Sequence, residues 1–139
     1  MLIQKDSVVI FHVGINDIEK SVKTTPFMNS IDRKRMVDEV SNNMNKLIDL
    51  TLERQPYKVI WSKCLPHFDN DINDMLHAIN VKVHNNYLDN EQVILCENNP
   101  LSFRGKFPNK KFFRDSKHLN ENGIKICASN LLQVVNSVK

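Results

Sequence analysis

Apolar positions along this chain follow two periods, and they alternate. Val8-Val9-Ile10-Phe11-His12-Val13 is a short run rich in β-branched residues, the pattern of a strand buried on both faces. Lys58-Val59-Ile60-Trp61-Ser62-Lys63-Cys64 and Gln92-Val93-Ile94-Leu95-Cys96 repeat it. Between these runs the spacing changes. From Asp32 to Arg54 the residues Val37, Val40, Met44, Leu47, Ile48 and Thr51 recur at three- and four-residue steps, which predicts a helix ended by Pro56. A second helix is predicted over about 71–87, with Ile72, Met75, Leu76, Ile79 and Val83 on one face. A third runs from Asn120, a suitable N-cap, to Val138, striped by Ile124, Cys127, Ala128, Leu131, Val134, Val135 and Val138.

Strand, helix, strand, helix, strand, helix is the α/β pattern, and right-handed crossovers fix much of its layout. The expectation is a single domain over 1–139, with a three-layer, flavodoxin-like parallel sheet in the order 1-2-3. The first two helices then share one face and the last covers the other. Four segments converge at the carboxyl edge of such a sheet, where open α/β folds bind ligands: Gly14–Asp17, Leu65–Asn70, Glu97–Phe103 and Asp115–Asn120. The polar stretch after Asp17, with Thr24, Thr25 and Pro26, reads as a loop. So does the long segment from Glu97 to Leu119, which holds Pro100, Gly105 and Pro108.

One feature of this layout is uncomfortable. The strand at 8–13 has the composition of a central strand, yet it opens the sheet and leaves an apolar edge unpaired. The sequence therefore reads as a domain truncated at its N-terminus to three strands. The expected consequence is self-association, or binding of a complementing segment, through that strand.

Composition narrows the function classes. The 139 residues are 41% hydrophobic and 25% charged with net charge +3, ordinary for a globular chain and too weakly basic to imply nucleic acid by itself. There is no apolar run of membrane-spanning length and no charged-then-apolar opening, so an intracellular, cytoplasmic protein without a membrane partner is expected. Three cysteines spaced about thirty residues apart (Cys64, Cys96, Cys127) fit reduced, buried thiols rather than a metal site. His77 and His84 lie two turns apart on the polar side of the second helix, too far for a shared ion, and read as solvated. No metal or cofactor is expected.

Candidate chemistry sits at two places. The first strand runs into Gly14-Ile15-Asn16-Asp17, which turns the chain and presents an amide beside a carboxylate. Near the end, Arg114-Asp115-Ser116-Lys117-His118-Leu119-Asn120 leads into the last helix. Asp115 and His118 have two readings. Either the carboxylate orients the imidazole through Nδ1 and leaves Nε2 as a general base, or Asp115 caps the helix and His118 is incidental.

Taken together, the strand ending in Gly-x-Asn-Asp, the Leu65-Pro66 that follows the second strand and the C-terminal Asp-x-x-His-Leu-Asn-x-x-Gly resemble the SGNH (GDSL-like) hydrolase family. The match covers nearly the whole chain and is similar to the later sequence blocks of that family. Phe113-Arg114-Asp115-Ser116-Lys117-His118-Leu119-Asn120-Glu121-Asn122-Gly123 looks especially like SGNH domains of retroelement-derived and multi-domain animal proteins. The resemblance implies acyl-ester or acetyl-ester hydrolysis. It makes Asn16 an oxyanion donor, His118 the base and Asp115 its orienting carboxylate. Gly14 and Asp17 support the turn. His67, Ser102 and Arg114 are possible substrate-loop residues, with His67 equally readable as a satisfied polar group. The departure is the nucleophile: the Gly-Asp-Ser block of the family is absent, and Lys5-Asp6-Ser7 leads into its strand from the wrong end. The chain is expected to be inactive alone through a serine.

A different class of function competes. Phe103, Arg104, Lys106, Phe107, Lys110, Lys111, Phe112, Phe113, Arg114 and Lys117 interleave aromatics with cations, a composition that can stack bases and track phosphates. On that reading the chain is a non-catalytic module that binds nucleic acid or a protein partner. The bland alternative is a basic loop over an active site with its phenylalanines packed inward.

Overall fold

The computed structural model describes residues 6–12, 18–20, 22 and 28–138. Three parallel strands, β1 (Val8–Phe11), β2 (Lys58–Ser62) and β3 (Val93–Cys96), lie side by side in the order β1-β2-β3. This is the α/β architecture and strand order that the alternating pattern predicts. The helices are α1 (Ser30–Leu52), α2 (Asn70–Tyr87) and α3 (Glu121–Ser137), each within two residues of its predicted bounds.

Strand register sorts the side chains onto two faces. Val9 pairs with Val59, Phe11 with Trp61, Val59 with Val93 and Trp61 with Leu95, so these residues share one face. That face meets Val37, Val40, Met44 and Ile48 of α1 and Ile72, Met75, Leu76, Ile79 and Val83 of α2 in a continuous core. Ion pairs from Arg33 to Asp71 and from Lys82 to Asp38 run across the outer seam of the two helices. The opposite face carries Ile10, Ile60, Ser62, Ile94 and Cys96. Helix α3 lies over β3 on this side, close enough for Cys127 to help push the Cys96 thiol above its ordinary pKa, behind the larger effect of burial.

Two expectations change here. The stripe of α3 is rotated: Ile124 is exposed and Ala128 too, while Ile126, Cys127, Asn130, Leu131, Val134 and Val135 are half-buried. Among the described residues the helix packs on β3 and the 3-10 turn at Lys110–Phe112, so more of its apolar positions reach solvent than a uniform stripe implies. Ile10, on the same sheet face, is 44% exposed. The segment from 97 to 119 is also less irregular than expected. It holds a small hairpin of β4 (Ser102–Phe103) and β5 (Phe107–Pro108), then a 3-10 turn at Lys110–Phe112. The hairpin tip needs Arg104 and Gly105 in the left-handed region, at φ 51° and 71°. None of the helices among the described residues is long and apolar enough to cross a membrane.

Candidate functional site

All three strands point the same way, so their carboxyl ends share one edge, and the sequence there is polar. β2 leaves through Cys64, whose backbone N–H donates to Asn80 Oδ1 at 2.8 Å while its carbonyl accepts from Asn80 Nδ2 and Asn98 Nδ2 at 3.1 and 2.9 Å. One buried asparagine on α2 thus holds both polar groups of a residue that has left the sheet. Asn73 repeats the device, accepting from the His67 N–H and donating to the Lys106 carbonyl. These bonds fasten the exit loop and the hairpin to α2. His77 and His84 are half-buried rather than solvated, with a buried Nδ1 on each that no described group satisfies. Burial, then the Lys106 and Lys63 charges, lower the His77 pKa.

The turn before α3 shows what Asp115 and the helix cap each bond. Helix α3 is capped by Asn120, whose Oδ1 accepts from Gly123 N–H at 2.9 Å and whose Nδ2 donates to the Lys111 carbonyl. Asp115 is free of capping and faces His118. Its Oδ1 accepts the backbone N–H groups of Lys117 and His118 at 3.0 and 2.7 Å, and its Oδ2 lies 2.7 Å from His118 Nδ1. Two backbone donors and then the ring hold the Asp115 carboxyl far below the usual carboxylate range. A carboxylate can only accept, so Nδ1 carries a proton and, in the neutral ring, Nε2 keeps the lone pair. Arg114 N–H closes the turn on the His118 carbonyl, and the Arg114 guanidinium stands 4.0 Å from Asp115. Asp115 and His118 are about half exposed, at 47% and 50% of their side chains.

Other candidate residues fall differently. Gly14, Asn16 and Asp17 lie outside the described residues. His67 is buried and fully bonded: Nδ1 accepts the Asp69 N–H and Nε2 lies 2.9 Å from Glu19. Ser102 is also buried; it lines a cavity of about 10 Å³, room for a single water, with Cys64, Asn73, Asn80 and Asn98. Ser62 Oγ is 3.0 Å from His12 Nδ1, a serine–histidine contact the sequence did not suggest, but Ser62 is only 2% exposed and cannot meet a substrate. Burial lowers the His12 pKa. The Ser116 carbonyl is taken by the Phe68 N–H at 3.0 Å. Among the described residues, no serine hydroxyl is bonded to His118 Nε2.

The residue that sequence reasoning missed most clearly is Glu19. The stretch after Asp17 reads as a loop, yet residues 18–20 are helical, with Ile18 and Glu19 buried. Glu19 joins His67 at the exit of β2 to Lys117 in the Asp115–His118 turn, whose ammonium donates to Oε2 at 2.6 Å. Nothing periodic announces such a residue.

The parallel sheet in this order, with its three main helices, is a fold shared with two solved structures. A GDSL-like lipase from Bacteroides thetaiotaomicron VPI-5482 shares it at TM-score 0.75 and 18% sequence identity, covering 96% of this chain and 63% of that one. A protein of Bacteroides fragilis NCTC 9343 assigned as an acylhydrolase does so at TM-score 0.71 and 16% identity, with the same coverages. The chain therefore spans less than two thirds of the length of these relatives. Neither a family model nor a curated protein sequence matches it.

Proposed function

We propose that this chain is a partial SGNH-type ester hydrolase domain, acting on acyl or acetyl esters, with His118 as base and Asp115 as its orienting carboxylate. The observation that carries this reading is the Asp115 turn, which holds His118 through Nδ1 on a half-exposed ring. His118 would take the proton of an attacking hydroxyl as its oxygen bonds to the ester carbonyl carbon. The same proton then passes to the leaving alkoxide. Asn16 is the proposed donor to the oxyanion, where one well-aimed amide is worth about 3–4 kcal/mol, and Gly14 and Asp17 shape its turn.

Among the described residues no serine hydroxyl is bonded to His118, so the nucleophile is proposed to come with an added segment that pairs with the outer edge of β1. A groove of about 550 Å³ lined by Phe11, Leu47, Leu50, Thr51 and Arg54 runs beside that strand, and its apolar floor suits such a segment or a second copy. The ending around Asp115–Gly123 favours the retroelement-derived, multi-domain type of SGNH domain. The free thiols of Cys64, Cys96 and Cys127 suit a reducing, intracellular setting.

The test treats the chain alone with a fluorophosphonate probe and with p-nitrophenyl acetate. No stoichiometric serine labelling is expected, with only slow turnover that drops to background in His118→Ala. A labelled serine that disappears in His118→Ala would overturn the added nucleophile while keeping the hydrolase. Turnover and labelling indifferent to both His118→Ala and Asp115→Asn would overturn the hydrolase itself.

The second reading, a nucleic-acid or partner module, is favoured by one feature. Phe113 packs inward on Phe68 with ring centroids 5.5 Å apart, but Phe103 and Phe107 stay 56% and 50% exposed across the hairpin, beside Arg104 and Lys106. Binding to single-stranded nucleic acid that weakens steeply with salt, without ester cleavage, would favour it.

A further inference from the structure

The Asp115–His118 pair is half exposed, and neither side chain is held by the hydrophobic core. What keeps it in place must therefore lie beneath the turn. At its two ends the turn is bounded by Phe113 and Leu119, which form an isolated antiparallel bridge. Between them it is fastened at two points. The Ser116 carbonyl accepts the Phe68 N–H, and the Lys117 ammonium reaches inward to Glu19.

Lys117 has two connections in this turn. Its backbone N–H donates to Asp115 Oδ1 at 3.0 Å, and its side chain is tied to Glu19 Oε2 at 2.6 Å. The other Glu19 oxygen accepts from His67 at 2.9 Å. Because the Asp69 N–H donates to His67 Nδ1, the ring proton sits on Nε2 and points at Glu19. Asp69 in turn caps α2 through the Ile72 N–H, so that imidazole is anchored to the start of a core helix. Glu19 is 7% exposed, and an unpartnered carboxylate at that depth would be costly. Burial pushes its pKa up, but hydrogen bonds from Lys117 and His67, together with their charges, outweigh burial and leave it below the usual range. It stays ionised, and as an anion it holds both cationic or donor partners at once.

We propose that Glu19 is a positioning residue: its buried carboxylate clasps the Lys117 ammonium against His67 and so sets the turn in which Asp115 orients His118. Glu19 touches no reacting atom. It acts through Lys117, whose backbone N–H helps aim the carboxylate at the ring. The two loops that flank the site, one leaving β2 and one leading into α3, are thereby coupled through a single side chain. This rests on the reading of Asp115 and His118 as the catalytic pair.

The test uses the full chain and reads the pair without relying on turnover. In ¹⁵N-labelled protein the His118 ring reports its tautomer, and exchange of the Nδ1 proton with water reports how firmly Asp115 holds it. In Glu19→Gln that exchange is expected to be at least about tenfold faster, matching the loss of a charge-assisted bond. Lys117→Met is expected to reproduce the effect, and the double variant to add little to either single one. Glu19→Asp, which keeps the charge but shortens the reach, is expected to recover part of it. Lys117 lies nearer the surface than Glu19, so its variant serves if Glu19→Gln does not fold. Unchanged Nδ1 exchange in Lys117→Met or in folded Glu19→Gln, or effects of the two that add fully, would overturn the proposal. Intact coupling in a chain with no His118-dependent turnover would leave Glu19 as described and remove only the hydrolase.

Discussion

Replacing Gly123 with alanine is expected to lower the unfolding free energy by roughly 1–3 kcal/mol. Helix propensity alone gives the opposite sign, since alanine in a helix interior gains up to about 1 kcal/mol over glycine. Packing reverses it. Gly123 is the buried residue of α3's first turn, and a Cβ there would press into the Phe112 carbonyl oxygen and stand 3.1 Å from two Leu119 side-chain carbons. The blocking atom is backbone and has little freedom to give way. That carbonyl also accepts the Asn120 N–H at 2.9 Å, so moving it disturbs the residue that caps the helix and the turn just before it. Urea unfolding is expected to show a lower midpoint with an unchanged slope. A higher midpoint would mean that α3 shifts freely on the 3-10 turn.

Asp115→Asn is expected to leave the turn standing and disable its histidine. The amide oxygen can still accept the Lys117 and His118 backbone N–H groups, the two bonds made by Oδ1. The other position becomes an NH₂ facing His118 Nδ1, where the carboxylate oxygen stood at 2.7 Å. A donor facing that nitrogen requires it to be unprotonated, which moves the ring proton to Nε2 and removes the lone pair there. His118-dependent hydrolysis is expected to fall to the His118→Ala level while far-UV dichroism is unchanged. The pH dependence has a definite sign. The folded pKa of Asp115 is depressed, so the stability it contributes is fully present above the unfolded value of about 4 and is lost only as pH falls through the lower folded value. Through the ionisation of Asp115 itself, the stability difference between the natural chain and Asp115→Asn is therefore expected to shrink only below about pH 4. A difference already shrinking near neutrality would show that the backbone donors do not hold the carboxylate.

The architecture was legible because burial repeats. Val59, Trp61, Val93 and the stripes of α1 and α2 each occur where a periodic core demands them, and three parallel strands then have few arrangements. The Asp115–His118 pair was legible because its members are three residues apart and bond locally. The rest of the site depends on single polar residues meeting across the fold. Glu19 meets Lys117 98 positions away and His67 48 positions away, and Asn80 meets Cys64 across 16. No spacing rule marks such pairs. The stripe of α3 was legible at Cys127, Leu131, Val134, Val135 and Val138 and failed at Ile124 and Ala128, because a helix laid over the edge of a small sheet leaves part of its apolar face in water.

The parallel sheet also bears on how the chain reaches its native state. Val8 pairs with Lys58 and Val59 with Val93, so closing these pairs spans 58 − 8 = 50 and 93 − 59 = 34 positions. The difference in loop-closure entropy between the two is only about 0.3 kcal/mol and does not set an order. Side-chain cover does: β2 is buried along nearly its whole length, whereas β1 is half-covered or exposed at each position. The order expected from this cover is β2 with α2 and β3 first, and β1 docking afterwards and detaching first. Mutations at Val9 are accordingly expected to speed unfolding without slowing refolding, and a slowed refolding limb would reverse that order.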